Sequence, residues 1–204
     1  MNWWGNFFGK KKSEQTERSP YLPDKKTPKD VSFAENFTAN GGFFLFSEDK
    51  KEVLINFKEI LKENYWFRDD ILCFDKNLSN VFDLPLSAPK IAHQPSKVGL
   101  FLCEYLISNT GSILFCDRQT HHYKITELPK VLIVYASTSQ LVSDVSEGMT
   151  LLKNKYKNTI PTNISTLNSK IERNEEEIDP KLNQSKTIYL LLQDHLFHER
   201  NCSS

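Results

Sequence analysis

Short, near-continuous apolar runs alternate with segments of helical spacing along most of the chain. Phe33, Ala34 and Phe37 fit one face of a short helix that Asn40-Gly41-Gly42 breaks, and Phe43-Phe44-Leu45-Phe46 then reads as a buried strand. Ser47 is the expected N-cap of the next helix, with Glu48 and Asp49 favourable in its first turn. Val53, Leu54, Phe57, Ile60 and Leu61 follow at helical spacing, and Ile71-Leu72-Cys73-Phe74 supplies the next strand. Because these strands are continuous rather than alternating, they predict an α/β, Rossmann-like domain whose mostly parallel sheet carries helices on both faces.

From Asp75 to Pro95 the three prolines Pro85, Pro89 and Pro95 suggest a short helix, a loop and an edge strand. The pivot of the chain is Cys103 to Phe115. Its first half reads as a short buried helix and its last four residues as a strand, so Asn109-Thr110-Gly111 must reverse the chain between them. Gly111 is free to take a positive φ, and without a side chain it leaves nearby N–H groups and the hydroxyls of Thr110 and Ser112 open to an anion. The competing reading is a helix cap that satisfies its own carbonyls and binds nothing. Asp117 to Thr126 is polar enough for a hairpin-like excursion, and Val131 to Ala136 is the strongest strand of the chain. Leu141, Val142, Val145, Met149, Leu152 and Tyr156 mark one face of a helix, with Lys153, Lys155 and Lys157 at its negative pole. Asn168 to Lys186 is charge-rich, with only Ile171, Ile178 and Leu182 to bury, which predicts a mobile loop or a loosely held helix. Thr187 to Leu192 closes the sheet.

At 204 residues and 39% hydrophobic content the chain suits one domain, placed at 31–197 between a tail of 1–30 and one of 198–204. Its 26 basic and 26 acidic residues cancel, so no net field draws it to nucleic acid. Cys73, Cys103, Cys116 and Cys202 form no Cys-x-x-Cys pair, a usage suited to a reducing cytosol. No apolar run is long enough to span a bilayer and the N-terminus has no secretion-signal order, so a cytoplasmic location is expected. The first tail qualifies that picture. Trp3, Trp4, Phe7 and Phe8 beside Lys10-Lys11-Lys12 suit weak contact with the inner membrane surface, or docking of the rings on protein. Liposome co-sedimentation of intact and tail-deleted protein separates the two.

Candidate chemistry elsewhere is thin. The adjacent His121 and His122 point to opposite sides if extended, and Asp194-His195 with His198-Glu199 sits at a chain end, so no metal site is expected. Neither a Gly-x-Gly-x-x-Gly turn nor a Walker loop is present, and no cofactor is expected.

Cys103-Glu104-Tyr105-Leu106-Ile107 followed by Thr110-Gly111-Ser112 resembles the central signature of the LUD-domain family, whose best-known class is lactate-utilisation protein C. The resemblance continues through Leu128-Pro129, Ser139-Gln140-Leu141-Val142, Lys155-Tyr156, Ile160-Pro161 and Ile164-Ser165, so that the order of elements agrees from about Val31 to Asp194. It implies a fold related to ribose-phosphate isomerases and CoA-transferases, and an association with lactate oxidation alongside iron–sulfur partner proteins. It also implies Thr110, Gly111, Ser112 and Glu104 as ligand-binding residues. The family usually sets an arginine-bearing, glycine-containing loop and a later histidine turn opposite the Thr-Gly-Ser turn. Here that region is Asn168-Ser169-Lys170-Ile171-Glu172-Arg173-Asn174 without a glycine, and Pro180 to Lys186 without a histidine.

Three functions remain open at this level. The first is a non-catalytic binding or accessory protein that kept the fold and the central turn. The second is an enzyme, or enzyme subunit, that handles a small anionic metabolite such as a carboxylate, sugar phosphate or CoA ester. In it Thr110 and Ser112 donate hydrogen bonds and Lys170 or Arg173 supplies charge. The third is a membrane-surface adaptor acting through residues 1–12.

Overall fold

The computed structural model describes residues 27–87, 96–121, 123–169 and 186–194. Trp3, Trp4, Phe7, Phe8, His122, Lys170, Arg173, His195 and His198 lie outside the described residues, and so do the whole of the 198–204 tail and all but the last four residues of the 1–30 tail.

The chain enters through helix α1 (Lys29–Ala39), where Phe33, Ala34 and Phe37 are buried. Its end is set as expected: Gly41 takes φ 85°, and the N–H groups of Asn40, Gly41 and Gly42 return to carbonyls of the last turns. Strand β1 (Phe43–Ser47) leads to helix α2 (Lys50–Glu63). Asp49, not Ser47, caps α2 by accepting from the Glu52 N–H at 2.9 Å. The chain stays extended through Ser47, which pairs with Gln193, and the buried Ser47 hydroxyl accepts from Asn56 at 2.9 Å. Strand β2 (Ile71–Leu72), helix α3 (Lys76–Phe82) and strand β3 (Val98–Leu102) follow. With β6 (Val131–Ser137) and β9 (Thr187–Gln193) they build a five-stranded sheet of order β1-β9-β6-β3-β2, parallel throughout.

Four strands pair in a second, mixed sheet that the sequence pattern does not disclose. Strands β4 (Tyr105–Ile107) and β5 (Ser112–Phe115) form an antiparallel hairpin, flanked by β7 (Leu141–Val142) and β8 (Ser165–Leu167) in the order β7-β4-β5-β8. The expected helix over Cys103–Ile107 is therefore a bend and a strand. The expected helix start at Leu141 is displaced too. Leu141 and Val142 pair with Leu106 and Ile107, and helix α5 (Val145–Lys155) begins only after the Asp144 cap. The expected hairpin after Cys116 is instead a short helix α4 (Asp117–Thr120) and a 3-10 turn. Asp117 and Arg118 open α4, and His121 closes it with a positive φ.

Four layers result. Helices α2 and α3 cover one face of the parallel sheet, where Val53, Phe57, Ile60, Leu78 and Phe82 meet Leu100, Ile133 and Leu191. On the other face Leu132, Val134, Leu190 and Leu192 meet Phe33 and Phe37 of α1, and Leu106, Ile113, Phe115 and Leu167 of the second sheet. That sheet turns Ile107, Leu114 and Val142 outward onto Leu152 of α5. Both faces of each sheet are thus buried, which is why neither shows alternation. No helix among the described residues is long and apolar enough to cross a membrane.

An ion pair fastens the outer layers. Lys29 at the start of α1 lies 2.9 Å from Glu147 in the first turn of α5, and Glu147 also accepts from the Ser143 N–H at 2.6 Å. Those two contacts, the backbone bond first, hold the Glu147 carboxyl down at about 2 against an ordinary 4.5. A carboxylate depressed by folding contributes stability that is full above the unfolded pKa and is lost as pH falls through the folded one. Thermal unfolding followed from pH 6 to pH 2 should therefore show Glu147→Gln losing less stability than the wild type below about 4.5. Parallel curves would mean that this clamp does not form.

Candidate functional site

The residues expected to bind a ligand fall at opposite ends of strand β4. At one end, residues 108–111 close the β4–β5 hairpin, and Gly111 has φ +64° as its role in reversing the chain requires. Helix α1 lies directly on this turn. Asn36 donates to the Ser108 carbonyl at 2.8 Å and Asn40 to the Thr110 carbonyl at 2.8 Å. The hydroxyls of Thr110 and Ser112 bond each other at 2.6 Å, Ser112 is buried, and the Gly111 N–H donates to the Ile107 carbonyl. The turn is thus knit to its own hairpin and to α1. Residues 170–173, the expected source of charge opposite it, are among those not described.

Glu104 stands at the other end, where the chain leaves the parallel sheet and bends into the second one. Its side chain is fully buried, and every donor around it converges on its two oxygens. Oε1 accepts from Gln119 at 2.6 Å and Tyr156 at 2.8 Å, with the Cys116 thiol at 3.4 Å, and Oε2 accepts from Lys155 Nζ at 2.9 Å. Burial by itself would raise the Glu104 pKa. The hydrogen bonds from Lys155, Gln119 and Tyr156, with the Lys155 charge, outweigh it and hold the carboxyl below its ordinary range. Burial likewise opposes the charge on Lys155, but the bond to Glu104 leaves its pKa raised. The Cys116 thiol is pushed up to about 11, chiefly by burial, and Cys103 is pushed higher still for the same reason.

A cavity of about 400 Å³ opens in front of this network. It lies where β2, β3 and β6 end, the side of a parallel sheet on which α/β proteins bind ligands. The backbone from Leu100 to Cys103 forms one part of its wall, and Arg118, Gln119, Gln140, Lys155 and Tyr156 reach it from other elements. Gln140 follows β6 in a 3-10 turn (Thr138–Gln140) and fixes the bend by donating to the Cys103 carbonyl at 2.7 Å and the Glu104 carbonyl at 3.2 Å. Arg118 lies over the Tyr156 ring, 4.4 Å from its centre, and bonds Thr159 through one nitrogen, which sets the guanidinium at the cavity. Asp75, the cap of α3, enters from the loop after β2.

Among the described residues, Glu104 alone of the expected site residues belongs to this cluster. Arg118, Gln119 and Asp75 carried no sequence signal, since each comes from a short polar stretch with no motif. Lys155 and Tyr156 were visible as the basic, apolar end of a helix and as part of the family resemblance, with no role attached to either. Among the described residues no group of three or more His, Cys, Asp or Glu side chains is placed to hold a metal ion.

The cavity and both sheets fall largely within one recognisable unit. The family model described as the LUD domain matches residues 92–192, which include every cavity side chain named above except Asp75. A crystal structure of a DUF162 family protein from Deinococcus radiodurans superposes with a TM-score of 0.59 at 14% identity, covering 84% of this chain and 99% of that one. At that identity the likeness speaks for the fold. No curated protein matches the chain. The chain carries a LUD domain over residues 92–192.

Proposed function

We propose that this LUD-domain protein is a binding or accessory component that takes a small anionic metabolite into the cavity at the ends of β2, β3 and β6. The observation that carries this reading is the pair of cations on the cavity wall. Lys155 gives Glu104 one hydrogen bond and Arg118 gives Thr159 one nitrogen, so both retain N–H groups for a ligand. The hairpin turn at Thr110-Gly111-Ser112 is the weaker candidate, because its hydroxyls already serve each other and α1 sits on its backbone.

Glu104 and the two cysteines beside the cavity are better set to hold structure than to catalyse. A general base needs a free lone pair near neutral pKa, whereas both Glu104 oxygens accept hydrogen bonds and the carboxyl is held low. A thiol nucleophile needs its thiolate, and burial raises both Cys103 and Cys116. The resemblance to lactate-utilisation proteins makes iron–sulfur lactate-oxidation proteins the partners to try first, by co-purification.

A thermal-shift screen against carboxylates, sugar phosphates and CoA esters tests the proposal. A ligand at 100 times its Kd adds about 2.7 kcal/mol, or roughly 5–10 °C for a chain of this size. Arg118→Ala should abolish that shift while leaving the unliganded melt within a degree or two. No shift across the panel, or one that survives Arg118→Ala, removes the cavity as the site. Turnover of a bound metabolite by the isolated protein overturns the accessory role.

A further inference from the structure

Resting on that reading of the cavity, we infer that its ligand is a polyhydroxylated anion, a sugar acid or sugar phosphate, with its charge at Arg118 and Lys155 and a hydroxyl on Asp75. Size comes first. About 400 Å³ is roughly thirteen times the share of liquid volume that one water takes. A three-carbon acid of six non-hydrogen atoms leaves much of that space to water, whereas a sugar acid or pentose phosphate of about a dozen fills it.

Polarity supplies the second argument. Asp75 spends Oδ1 on the Leu78 N–H at 2.8 Å to cap α3, and its Oδ2 accepts no hydrogen bond among the described residues. An apolar tail lying over that oxygen would strip its water and return nothing. A second carboxylate on the ligand would face it with like charge. A hydroxyl donates to it at no such cost. Gln119 has a further N–H beyond the one given to Glu104, and that donor needs an acceptor. Hydroxyl groups serve both needs because each donates and accepts. A single ammonium could serve only Asp75.

Isothermal titration of the full chain with gluconate, ribose 5-phosphate, hexanoate and glucose separates the possibilities. Gluconate or ribose 5-phosphate should bind at least about tenfold more tightly than either hexanoate, which lacks hydroxyls, or glucose, which lacks charge. Which of the two binds better decides between carboxylate and phosphate. Asp75→Ser preserves the helix cap, because serine caps as well as aspartate, and takes the second oxygen away, so it should bring the ratio of hydroxylated anion to hexanoate down toward one. Equal binding of hexanoate and gluconate overturns the hydroxyl assignment and leaves the anion site standing. No binding by any of the anions removes both. A full preference retained in Asp75→Ser, with the variant shown by its melt to be folded, refutes the contact at Asp75.

Discussion

Replacing Gly111 with alanine should lower the melting temperature by roughly 6–12 °C, a loss of about 3 kcal/mol for a chain of this length. Two independent penalties produce it. A side chain at φ +64° is strained by about 1–2 kcal/mol. The added Cβ would also lie 2.3 Å from the Phe37 nitrogen and 2.5 Å from the Asn36 carbonyl carbon. Those are backbone atoms of α1, so the whole helix must lift, and overpacking of this kind costs about 1–3 kcal/mol. Gly148 provides the contrast. Its Cβ would meet Ile107, Val142 and Leu114 at 3.4–3.6 Å, ordinary contact, in the middle of α5. Gly148→Ala should therefore raise stability, by about 0.5–1 kcal/mol, through helix propensity alone. Thermal melts of the two variants should move in opposite directions. An unchanged melt for Gly111→Ala would mean that α1 does not rest on the hairpin, and the ligand-binding reading of Thr110-Gly111-Ser112 would regain its claim.

The parallel sheet was legible because its strands are pure apolar runs bounded by clear breaks. Phe43 to Phe46, Val131 to Ala136 and Thr187 to Leu192 lie within β1, β6 and β9, and the Phe33/Phe37 spacing lies within α1. The second sheet was hidden by its own burial. Leu106 faces the parallel sheet and Ile107 faces α5, so Tyr105-Leu106-Ile107 shows no period of two and fits one turn of buried helix equally well. Leu141-Val142 misled in the same way, since their partner was a strand distant in sequence rather than the helix that follows them. The cavity was illegible for a different reason. Asp75, Arg118, Gln140 and Lys155 come from four separate connections, and only the order of strands in the sheet brings them together. Glu104 was singled out through the family resemblance alone, and nothing in the sequence says with what this carboxylate amid Leu-Cys and Tyr-Leu-Ile is paired.

That pairing leads to the second large effect, the loss of about 3 kcal/mol expected for Glu104→Gln. The carboxylate is buried and accepts from Lys155, Gln119 and Tyr156. A glutamine of the same shape has one acceptor atom, so its amide nitrogen must face either the Lys155 ammonium or the pair of donors from Gln119 and Tyr156. Either way a donor meets a donor, and hydrogen bonds to a charged group worth about 1.5–3 kcal/mol each are lost. The same deletion made from the other side should matter less. The Lys155 side chain is 53% exposed, so after Lys155→Met the carboxylate still keeps Gln119 and Tyr156, while a lysine left by Glu104→Gln faces an amide nitrogen or two stranded donors. The asymmetry between the two single variants thus reports which partner is buried. Acid provides the decisive control. Folding holds the Glu104 carboxyl below its ordinary 4.5, so its contribution is complete above that value and is lost as pH falls below it, when the wild-type group also takes up a proton. The gap in melting temperature between wild type and Glu104→Gln should accordingly be widest at neutral pH and shrink below about 4.5. A gap that stays constant from pH 7 to pH 3 would show that the variant fails through packing rather than charge, and the ionised network behind the cavity would have to be abandoned.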